Sequence, residues 1–370
     1  MNRYKKVIVK IGSALITAGG KGLDRDAITA WAEQMAQLRA DGVDVVLVSS
    51  GSIAEGITRL GLKSRPRNIS ELQATAAVGQ MGLVQAYEAC FQGHGINSAQ
   101  ILLTHADLSN RRRYLNARST LQTLLKFGAI PVINENDSVS NEEIRFGDND
   151  TLGALVANLI EADLLIILTD QQGLFDANPV DNPAAKLIER ADARDPKLTE
   201  YAGPSSSELG RGGMQTKVSA ARLAARSGTH TVIVSGRLEN VITRVVRGEA
   251  LGSFLQASEG HLAARKQWLA GHMRCVGELS LDDGAVDVLL NRNASLLPIG
   301  VKAVKGVFNR GEVVACLAPD GTEIARGLVN YPSDECKLIV GKDSRQIPKI
   351  LGYQDNPELI NRENLILMKT

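Results

Sequence analysis

The stretch FGDNDTLGALVANLIEADLLIILTD, residues 146–170, decides the fold because it joins a helix pattern to a buried-strand pattern. An apolar stripe at helical spacing is formed by Leu152, Leu155, Val156 and Leu159. The run that follows, residues 163–170, has five consecutive apolar residues between Asp163 and a final Thr-Asp, which is typical of a strand buried on both faces. A helix followed directly by such a strand predicts an α/β unit with a parallel sheet.

Other apolar runs share this composition and extend the pattern along the chain. Each is rich in Val and Ile and ends in Gly, Ser, Asp or Asn, and together they cover residues 6–12, 43–51, 129–136 and 230–236. A helix is predicted over residues 24–40. The alternation predicts an α/β fold, a mainly parallel open sheet sandwiched by helices, with ligands bound beyond the carboxyl ends of the strands.

The pattern changes near residue 255, and a length of 370 residues fits two domains. We expect an α/β domain over residues 1–255, a linker over 256–274 and a small β-rich domain over 275–370. The last segment consists of short strand-like pieces separated by Gly, Asp-Gly and Asn-Arg-Gly turns, which favours antiparallel hairpins.

The composition excludes several classes of protein. The chain has 42 basic and 41 acidic residues, so net charge does not direct it toward nucleic acid or an anionic membrane. Its four cysteines form no CxxC pair and no zinc-binding spacing, which favours reduced thiols in the cytoplasm. Lys10 interrupts the first apolar run, so a signal peptide is not predicted. No apolar run approaches the ~18 residues of a membrane-spanning helix.

Lys10 lies within VIVKIGSALI, residues 7–16, between a buried-strand pattern and a glycine. Most strand lysines lie in solvent on an edge strand, and the local sequence leaves that alternative open. A lysine at the end of a central strand, beside a glycine turn with N–H groups that face an anion, predicts a phosphate site.

Two glycine-containing segments add to this prediction. SSGSIAEG, residues 49–56, is explained in part by a serine-capped turn, while Gly51 and Gly56 favour close approach of a ligand to the backbone. GRGGMQTK, residues 210–217, lacks the glycine before lysine that a Walker A loop requires. A flexible loop before a helix over residues 215–226 is one interpretation. Convergence of N–H groups, Arg211 and Lys217 on one anion is the other.

The segment FGDND, residues 146–150, places two carboxylates and an amide where one carboxylate would cap the helix. We infer that this acidic segment orients and balances the cations of the other segments. Two lysines with an aspartate pair suit the transfer of a phosphoryl group to an acceptor that is itself anionic.

Six segments together resemble the bacterial glutamate 5-kinase family, a branch of the amino-acid kinase superfamily whose members often carry a C-terminal PUA domain. The segments are VKIGSAL, VLVSSGSIAEG, PVINENDSVS, FGDNDTLGALVA, LTDQQGLFDANP and GRGGMQTK. They occur in the family's order over essentially the whole chain, and NENDSVS followed by FGDND is particular to the glutamate-accepting branch. The resemblance implies ATP-dependent phosphorylation of the side-chain carboxylate of L-glutamate, the first step of proline biosynthesis.

The resemblance also implies roles for individual residues. Lys10 and Lys217 would contact the phosphates and the moving phosphoryl group, with Asp150 orienting both lysines. The glutamate pocket would be lined by Ser50, Gly51, Asn134, Asp137, Asp148 and Asn149. ATP would be held by Lys10, Thr169, Asp170, Arg211, Gly212, Gly213, Met214, Gln215, Thr216 and Lys217. Many relatives have a small residue or threonine in place of Arg211, which leaves its contacts with the nucleotide open.

The chemistry of this reaction supports such a site. A glutamate side chain, with a reference pKa near ~4.3, is ionised at pH 7, so no general base is required. Two like charges ~4 Å apart at an effective dielectric constant of ~20 repel by about 4 kcal/mol, which lysines and Mg²⁺ would offset. We expect Mg²⁺ to bind mainly through phosphates, without a direct protein ligand. Asp137 would accept from the substrate ammonium, which selects against an acetylated amine.

The remaining expectations concern the binding partners of the chain and the alternative functions. The resemblance implies feedback inhibition by proline, a homodimer or homotetramer, and possible transfer of the product to glutamyl-phosphate reductase. The alternative enzymes are other members of the superfamily, such as N-acetylglutamate kinase, aspartokinase and carbamate kinase. PUA domains usually bind RNA, but residues 275–353 contain nine basic and ten acidic residues, which disfavours RNA binding.

Overall fold

The computed structural model describes residues 3–17, 22–140, 149–203, 213–258, 275–292, 294–354 and 356–368. The chain forms two compact units, residues 1–264 and residues 265–370. The division into residues 1–255, 256–274 and 275–370 stays a prediction, and most of the expected linker lies outside the described residues. No helix in the described part of the chain is long and apolar enough to cross a membrane.

The first unit is built on an eight-stranded sheet with the order β3-β4-β2-β1-β5-β7-β8-β6. Its strands are β1 Lys6–Ile11, β2 Asp44–Val48, β3 Ser98–Leu103, β4 Ile130–Glu135, β5 Leu164–Thr169, β6 Arg190–Asp192, β7 His230–Ser235 and β8 Ser253–Gln256. The β7–β8 pair is antiparallel and the other pairs are parallel. The predicted mainly parallel sheet is therefore confirmed, and β1 and β5 lie at its centre.

Helices cover both faces of this sheet. They are α1 Ser13–Ile16, α2 Arg25–Ala40, α3 Ser52–Arg59, α4 Ile69–Gln92, α5 His105–Ser109, α6 Arg111–Lys126, α7 Asn149–Ile160, α8 Lys197–Tyr201, α9 Met214–Ala225 and α10 Val241–Val246. Alternate residues of β1 enter different cores. Val7 and Val9 pack in the core that contains α2 residues, whereas Ile8 packs in the core that contains α7 and α9 residues. Because side chains alternate along a strand, Lys10 lies on the same face as Ile8, below α7.

Close contact between α3 and α4 depends on small residues. A Cβ atom at Gly56 would lie 1.9 Å from the Thr75 carbonyl oxygen, and one at Gly79 would lie 1.8 Å from the Ser52 carbonyl oxygen. The prediction that Gly56 allows a ligand to approach the backbone is therefore wrong, because α4 occupies that space. Glycine is required here to let two helix backbones touch.

The second unit contains a five-stranded sheet with the order β10-β9-β11-β12-β13. Its strands are β9 Gly277–Leu281, β10 Val301–Gly306, β11 Val313–Leu317, β12 Glu323–Leu328 and β13 Leu365–Leu367. Helices α11 Asp283–Asn291, α12 Ser333–Ile339 and α13 Ile347–Leu351 accompany the sheet. The β-rich character is confirmed, although β11 and β9 pair in parallel rather than as a hairpin.

Candidate active site

Three buried charges from distant parts of the sequence meet at the carboxyl end of β1. Lys10 Nζ lies 2.6 Å from Asp150 Oδ1, and Lys217 Nζ lies 3.0 Å from Asp150 Oδ2. Asp150 is fully buried, and each lysine is only 4% exposed. The strand β1 supplies the first lysine, the first turn of α7 supplies the aspartate and the first turns of α9 supply the second lysine. Lys10 is thus a central-strand lysine rather than a solvated edge residue.

The environment of Asp150 keeps this carboxylate ionised. Burial alone would raise its pKa, but the adjacent charges of Lys10 and Lys217 and their hydrogen bonds outweigh burial and hold the pKa well below its usual range. Asp150 is therefore unsuited to accept a proton near neutral pH. Its physical role is to fix two ammonium groups in place, and these three side chains by themselves carry one net positive charge.

Thr216 contributes to the orientation of Asp150. Its hydroxyl oxygen lies 2.8 Å from Asp150 Oδ2 and 2.7 Å from the Gly213 carbonyl oxygen, so its single proton is donated to either acceptor. Gly213 is the N-terminal cap of α9. The link between the cap and the carboxylate ties the start of α9 to the start of α7.

A second cluster of buried polar groups adjoins the charged residues. Asn149 Nδ2 lies 2.8 Å from the Ser49 carbonyl oxygen, 2.9 Å from Ser50 Oγ and 2.9 Å from Asn134 Oδ1. These side chains are contributed by the ends of β2 and β4 and by α7. Three of the residues that the family resemblance assigns to the glutamate pocket are therefore linked, because Asn149 contacts both Ser50 and Asn134.

Asp137 follows Asn134 by three residues and contacts the start of α3. Ser52 Oγ donates a hydrogen bond of 3.1 Å to Asp137 Oδ2. Burial raises the pKa of Asp137 to about 6, against the lowering effects of the Ser52 hydrogen bond and the charge of Arg65. Among the described residues, Asp137 Oδ1 is buried and makes no hydrogen bond. A cationic group of a ligand would satisfy this oxygen.

Gly51 connects the two halves of the cluster through the backbone. It caps α3 with φ +99°, in the left-handed region, and a Cβ atom there would lie 2.6 Å from Ile16 Cγ2. Only glycine meets both constraints without strain. The turn from β2 into α3 thereby brings Ser50 and Ser52 to the same site.

The residues expected to hold ATP are only partly described. Thr169 ends β5, and its hydroxyl lies 3.1 Å from Asp170 Oδ1. Met214 packs against a core, whereas Gln215 is exposed in the first turn of α9. The predicted site residues Asp148, Arg211 and Gly212 lie outside the described residues. The nucleotide roles of this group stay predictions.

Comparisons with known proteins identify the family to which the chain belongs. The model of the "Amino acid kinase family" matches residues 5–235, and the model of the "PUA domain" matches residues 277–351. The chain belongs to the amino acid kinase family. A "Glutamate 5-kinase" from Pseudomonas savastanoi pv. phaseolicola is 61% identical over 368 residues, which cover 100% of both chains. Another from Pseudomonas syringae pv. tomato is 62% identical over 361 residues, covering 98% of this chain and 97% of its own.

Similarity to a solved structure is much lower. UMP kinase from Bacillus anthracis is 15% identical and matches 69% of this chain and 97% of its own, with a TM-score of 0.47. That likeness is too low to support an inference about activity. The expectation that the chain resembles the glutamate 5-kinase family is confirmed by the full-length relatives instead.

Sequence reasoning missed several polar residues of this amino acid kinase. Gln80 Oε1 accepts a hydrogen bond of 2.8 Å from Asn134 Nδ2, and Tyr87 Oη lies 3.1 Å from Ser49 Oγ. Both residues lie on α4, and burial raises the pKa of Tyr87 above its ordinary value. A glutamine or a tyrosine within a long helix belongs to no recognisable motif. The one available signal was the spacing of seven residues between Gln80 and Tyr87, which places both side chains on the same face of the helix.

The described residues contain no cluster of three or more His, Cys, Asp or Glu side chains that could hold a metal ion. Among the described residues, this site of the amino acid kinase contains two cations with one carboxylate between them, a second carboxylate at Asp137, and neutral amides and hydroxyls. Such a set is suited to bind a phosphate chain that brings its own divalent cation.

Proposed function

We propose that this amino acid kinase transfers the terminal phosphoryl group of ATP to the side-chain carboxylate of L-glutamate, forming L-glutamyl 5-phosphate and ADP. The observation that carries the proposal is the pair of buried lysines held on Asp150 at 2.6 and 3.0 Å. Full-length relatives at about 60% identity bear the name "Glutamate 5-kinase", which selects glutamate among acidic acceptors and disfavours the N-acetylglutamate, aspartate and carbamate alternatives.

The reaction needs charge neutralisation rather than proton transfer. A carboxylate oxygen of glutamate forms a bond to the terminal phosphorus while the bond from that phosphorus to the bridging oxygen of ADP breaks. Both reactants are anions, so the ammonium groups of Lys10 and Lys217 stabilise negative charge on the transferring oxygens. Asp150 keeps both lysines aligned without competing for a proton. Mg²⁺ bound to the phosphates of ATP would supply further positive charge.

The amino-acid head of glutamate is held at the other end of the pocket. Asp137, whose pKa is about 6, is ionised at pH 7 and accepts from the substrate ammonium. An acetylated nitrogen lacks that charge and leaves a buried carboxylate unpaired, which disfavours N-acetylglutamate. Ser50 and Asn149 line the acceptor pocket, with Gly51 supplying a backbone N–H. Asp148 and the stretch from Arg211 to Lys217 complete the glutamate and nucleotide sites.

An assay with hydroxylamine tests the proposal. Hydroxylamine traps an acyl phosphate as a hydroxamate, so the purified chain is incubated with ATP, Mg²⁺ and glutamate, N-acetylglutamate or aspartate in parallel. Glutamate is expected to give hydroxamate at a kcat/KM at least ~100-fold above the other two acceptors. The Lys217→Ala variant serves as the matched control for contaminating kinases. Equal turnover of glutamate and N-acetylglutamate, or none of glutamate, would refute the assignment.

Regulation and assembly follow from the same proposal. Proline, which shares the α-amino acid head of glutamate, is proposed as a feedback inhibitor, and the chain as a cytoplasmic homodimer or homotetramer. The labile acyl phosphate favours rapid transfer to glutamyl-phosphate reductase. Repeating the hydroxamate assay with proline tests the first point, and sedimentation analysis tests the second. For the PUA domain we propose a structural or regulatory role, which tight RNA binding by the full chain at physiological salt would contradict.

A further inference from the structure

Gln80 is buried beside Asn134, although no motif marks it. It lies on α4 and is 8% exposed. The preceding residue, Gly79, lies so close to the Ser52 carbonyl that no side chain fits between α4 and α3. This contact brings the Gln80 amide next to Asn134, at the end of β4.

Backbone groups fix which way the amides of this cluster are turned. The Ser49 carbonyl can only accept, so the Asn149 atom 2.8 Å away is the donor Nδ2. The Glu135 backbone N–H can only donate, so the Asn134 atom 3.0 Å away is the acceptor Oδ1. Asn134 Nδ2 must then face Gln80, and the Gln80 atom 2.8 Å from it must be Oε1. The Gln80 donor, Nε2, is consequently turned away from Asn134.

Two buried atoms of opposite polarity are unsatisfied among the residues of this cluster that the structure describes. Among the described residues, Gln80 Nε2 is a buried donor and Asp137 Oδ1 is a buried acceptor, and neither makes a hydrogen bond. A buried polar group without a partner costs about 1–3 kcal/mol. A free α-amino acid carries one acceptor and one donor on its α-carbon, a carboxylate and an ammonium, which match this pair.

We propose that Gln80 determines specificity by donating an Nε2 hydrogen bond to the α-carboxylate of the acceptor, while Asp137 binds its ammonium. This inference rests on the proposed function and adds the group that recognises the α-carboxylate. Gln80 serves the pocket twice, because its Oε1 fixes the Asn134 amide that in turn contacts Asn149. The site therefore distinguishes a free α-carboxylate from an α-amide even though neither group reacts.

A pair of acceptors that differ at one group tests this role. Glutamate and its α-amide, isoglutamine, have the same reacting carboxylate and the same ammonium but differ at the α-carboxyl group. The wild-type chain is expected to prefer glutamate by about tenfold in kcat/KM, since a charged acceptor makes the stronger hydrogen bond. The variant Gln80→Glu keeps the acceptor for Asn134 and replaces the donor by a carboxylate oxygen. Its preference is expected to fall by at least ~10-fold, because it repels the α-carboxylate and accepts from the α-amide.

A matched control and a second variant keep the test decisive. Gln85→Glu makes the same chemical change at an exposed position of α4, and its preference is expected to equal that of the wild type. Gln80→Leu removes both hydrogen-bonding functions and is expected to lower kcat/KM more for glutamate than for isoglutamine, with KM for ATP changed less than about twofold. Equal losses for both acceptors in Gln80→Glu, or in Gln80→Leu if the first variant does not fold, would overturn the proposal. Failure of the wild type to phosphorylate either acceptor would instead refute the proposed function, before any variant is compared.

Discussion

The substitution Asp137→Asn should stabilise the substrate-free protein while impairing glutamate binding. Burial raises the pKa of Asp137 from 3.8 to about 6 in the folded chain. At 1.36 kcal/mol per pH unit, this difference means that ionisation of the carboxyl group lowers the free energy of unfolding by about 3 kcal/mol. Asparagine has the same shape, can still accept from Ser52 and cannot ionise. We therefore expect a gain of up to about 3 kcal/mol at pH 8.

The sign of the pH dependence follows from the same shift. The folded carboxyl group holds its proton more tightly than the unfolded chain does, so its contribution to stability is fully present below pH 3.8. That contribution is lost as the pH rises through about 6 and stays absent above it. The stability difference between Asp137→Asn and the wild type should therefore grow from pH 4 to about pH 7 and then level off.

Urea denaturation at several pH values measures this difference. The sequence has two tryptophans, and the substitution Trp268→Phe leaves Trp31 as a reporter of the first unit. The variant Asp107→Asn is a control of opposite sign. Burial raises the pKa of Asp107, but hydrogen bonds from Thr104 and Arg113 outweigh burial and lower it, so removing its charge should destabilise the chain at neutral pH.

The activity assay supplies the second half of the prediction. Because the introduced asparagine carries no charge to bind the substrate ammonium, KM for glutamate should rise at least ~30-fold at pH 7.5, with KM for ATP nearly unchanged. The wild type should also lose affinity for glutamate as the pH falls through about 6, since the protonated carboxyl no longer attracts a cation. A variant that is less stable than the wild type at pH 8, or that raises both KM values equally, would refute the reasoning.

Four further substitutions test the site and its scaffold. Lys10→Ala and Lys217→Ala should each lower kcat by about 10²–10³-fold with KM changed less than about threefold, and near-normal turnover in the hydroxamate assay would exclude a charge-stabilising role for that lysine. Gly79→Ala should lower the free energy of unfolding by about 3 kcal/mol in urea, because its Cβ would overlap the Ser52 carbonyl at 1.8 Å. Gly153→Ala, whose Cβ would meet neighbours no closer than 3.5 Å, should instead stabilise α7 by about 0.5–1 kcal/mol, and a loss as large as that of Gly79→Ala would contradict the packing argument.

The sequence predicted the parts of the fold that are buried uniformly. Strands β1, β4 and β5 are buried along nearly their whole length, so their residues form the continuous apolar runs that single out a parallel central strand. Strand β3 was missed because it lies at the edge of the sheet and most of its residues are only half-buried. Helix α11 was hidden by its Asp-Asp-Gly start, which is typical of a turn. Asp282 accepts from the Ala285 N–H and caps that helix instead.

The candidate site also contains some residues that the sequence identifies and others that it does not. Lys10 could be identified from the sequence because a charged residue interrupts an apolar strand pattern. Asp150 could be identified because residues 146–150 contain two carboxylates and an amide, whereas one carboxylate is enough to cap the helix. Their pairing across 140 residues of sequence depends on the order of strands in the sheet, which no local pattern encodes. Gln80 could not be found at all, because its role depends on two amide orientations fixed by backbone groups elsewhere.

The position of Lys217 in the sequence also makes the charge of the site depend on how much of the chain is present. Lys10 and Asp150 both precede α9, which supplies the second ammonium group. A chain truncated before residue 217 would contribute one lysine and one aspartate to the site, without the net positive charge of the three side chains. We therefore expect such a truncated chain not to consume ATP, because the helix that completes the charge comes late in the sequence.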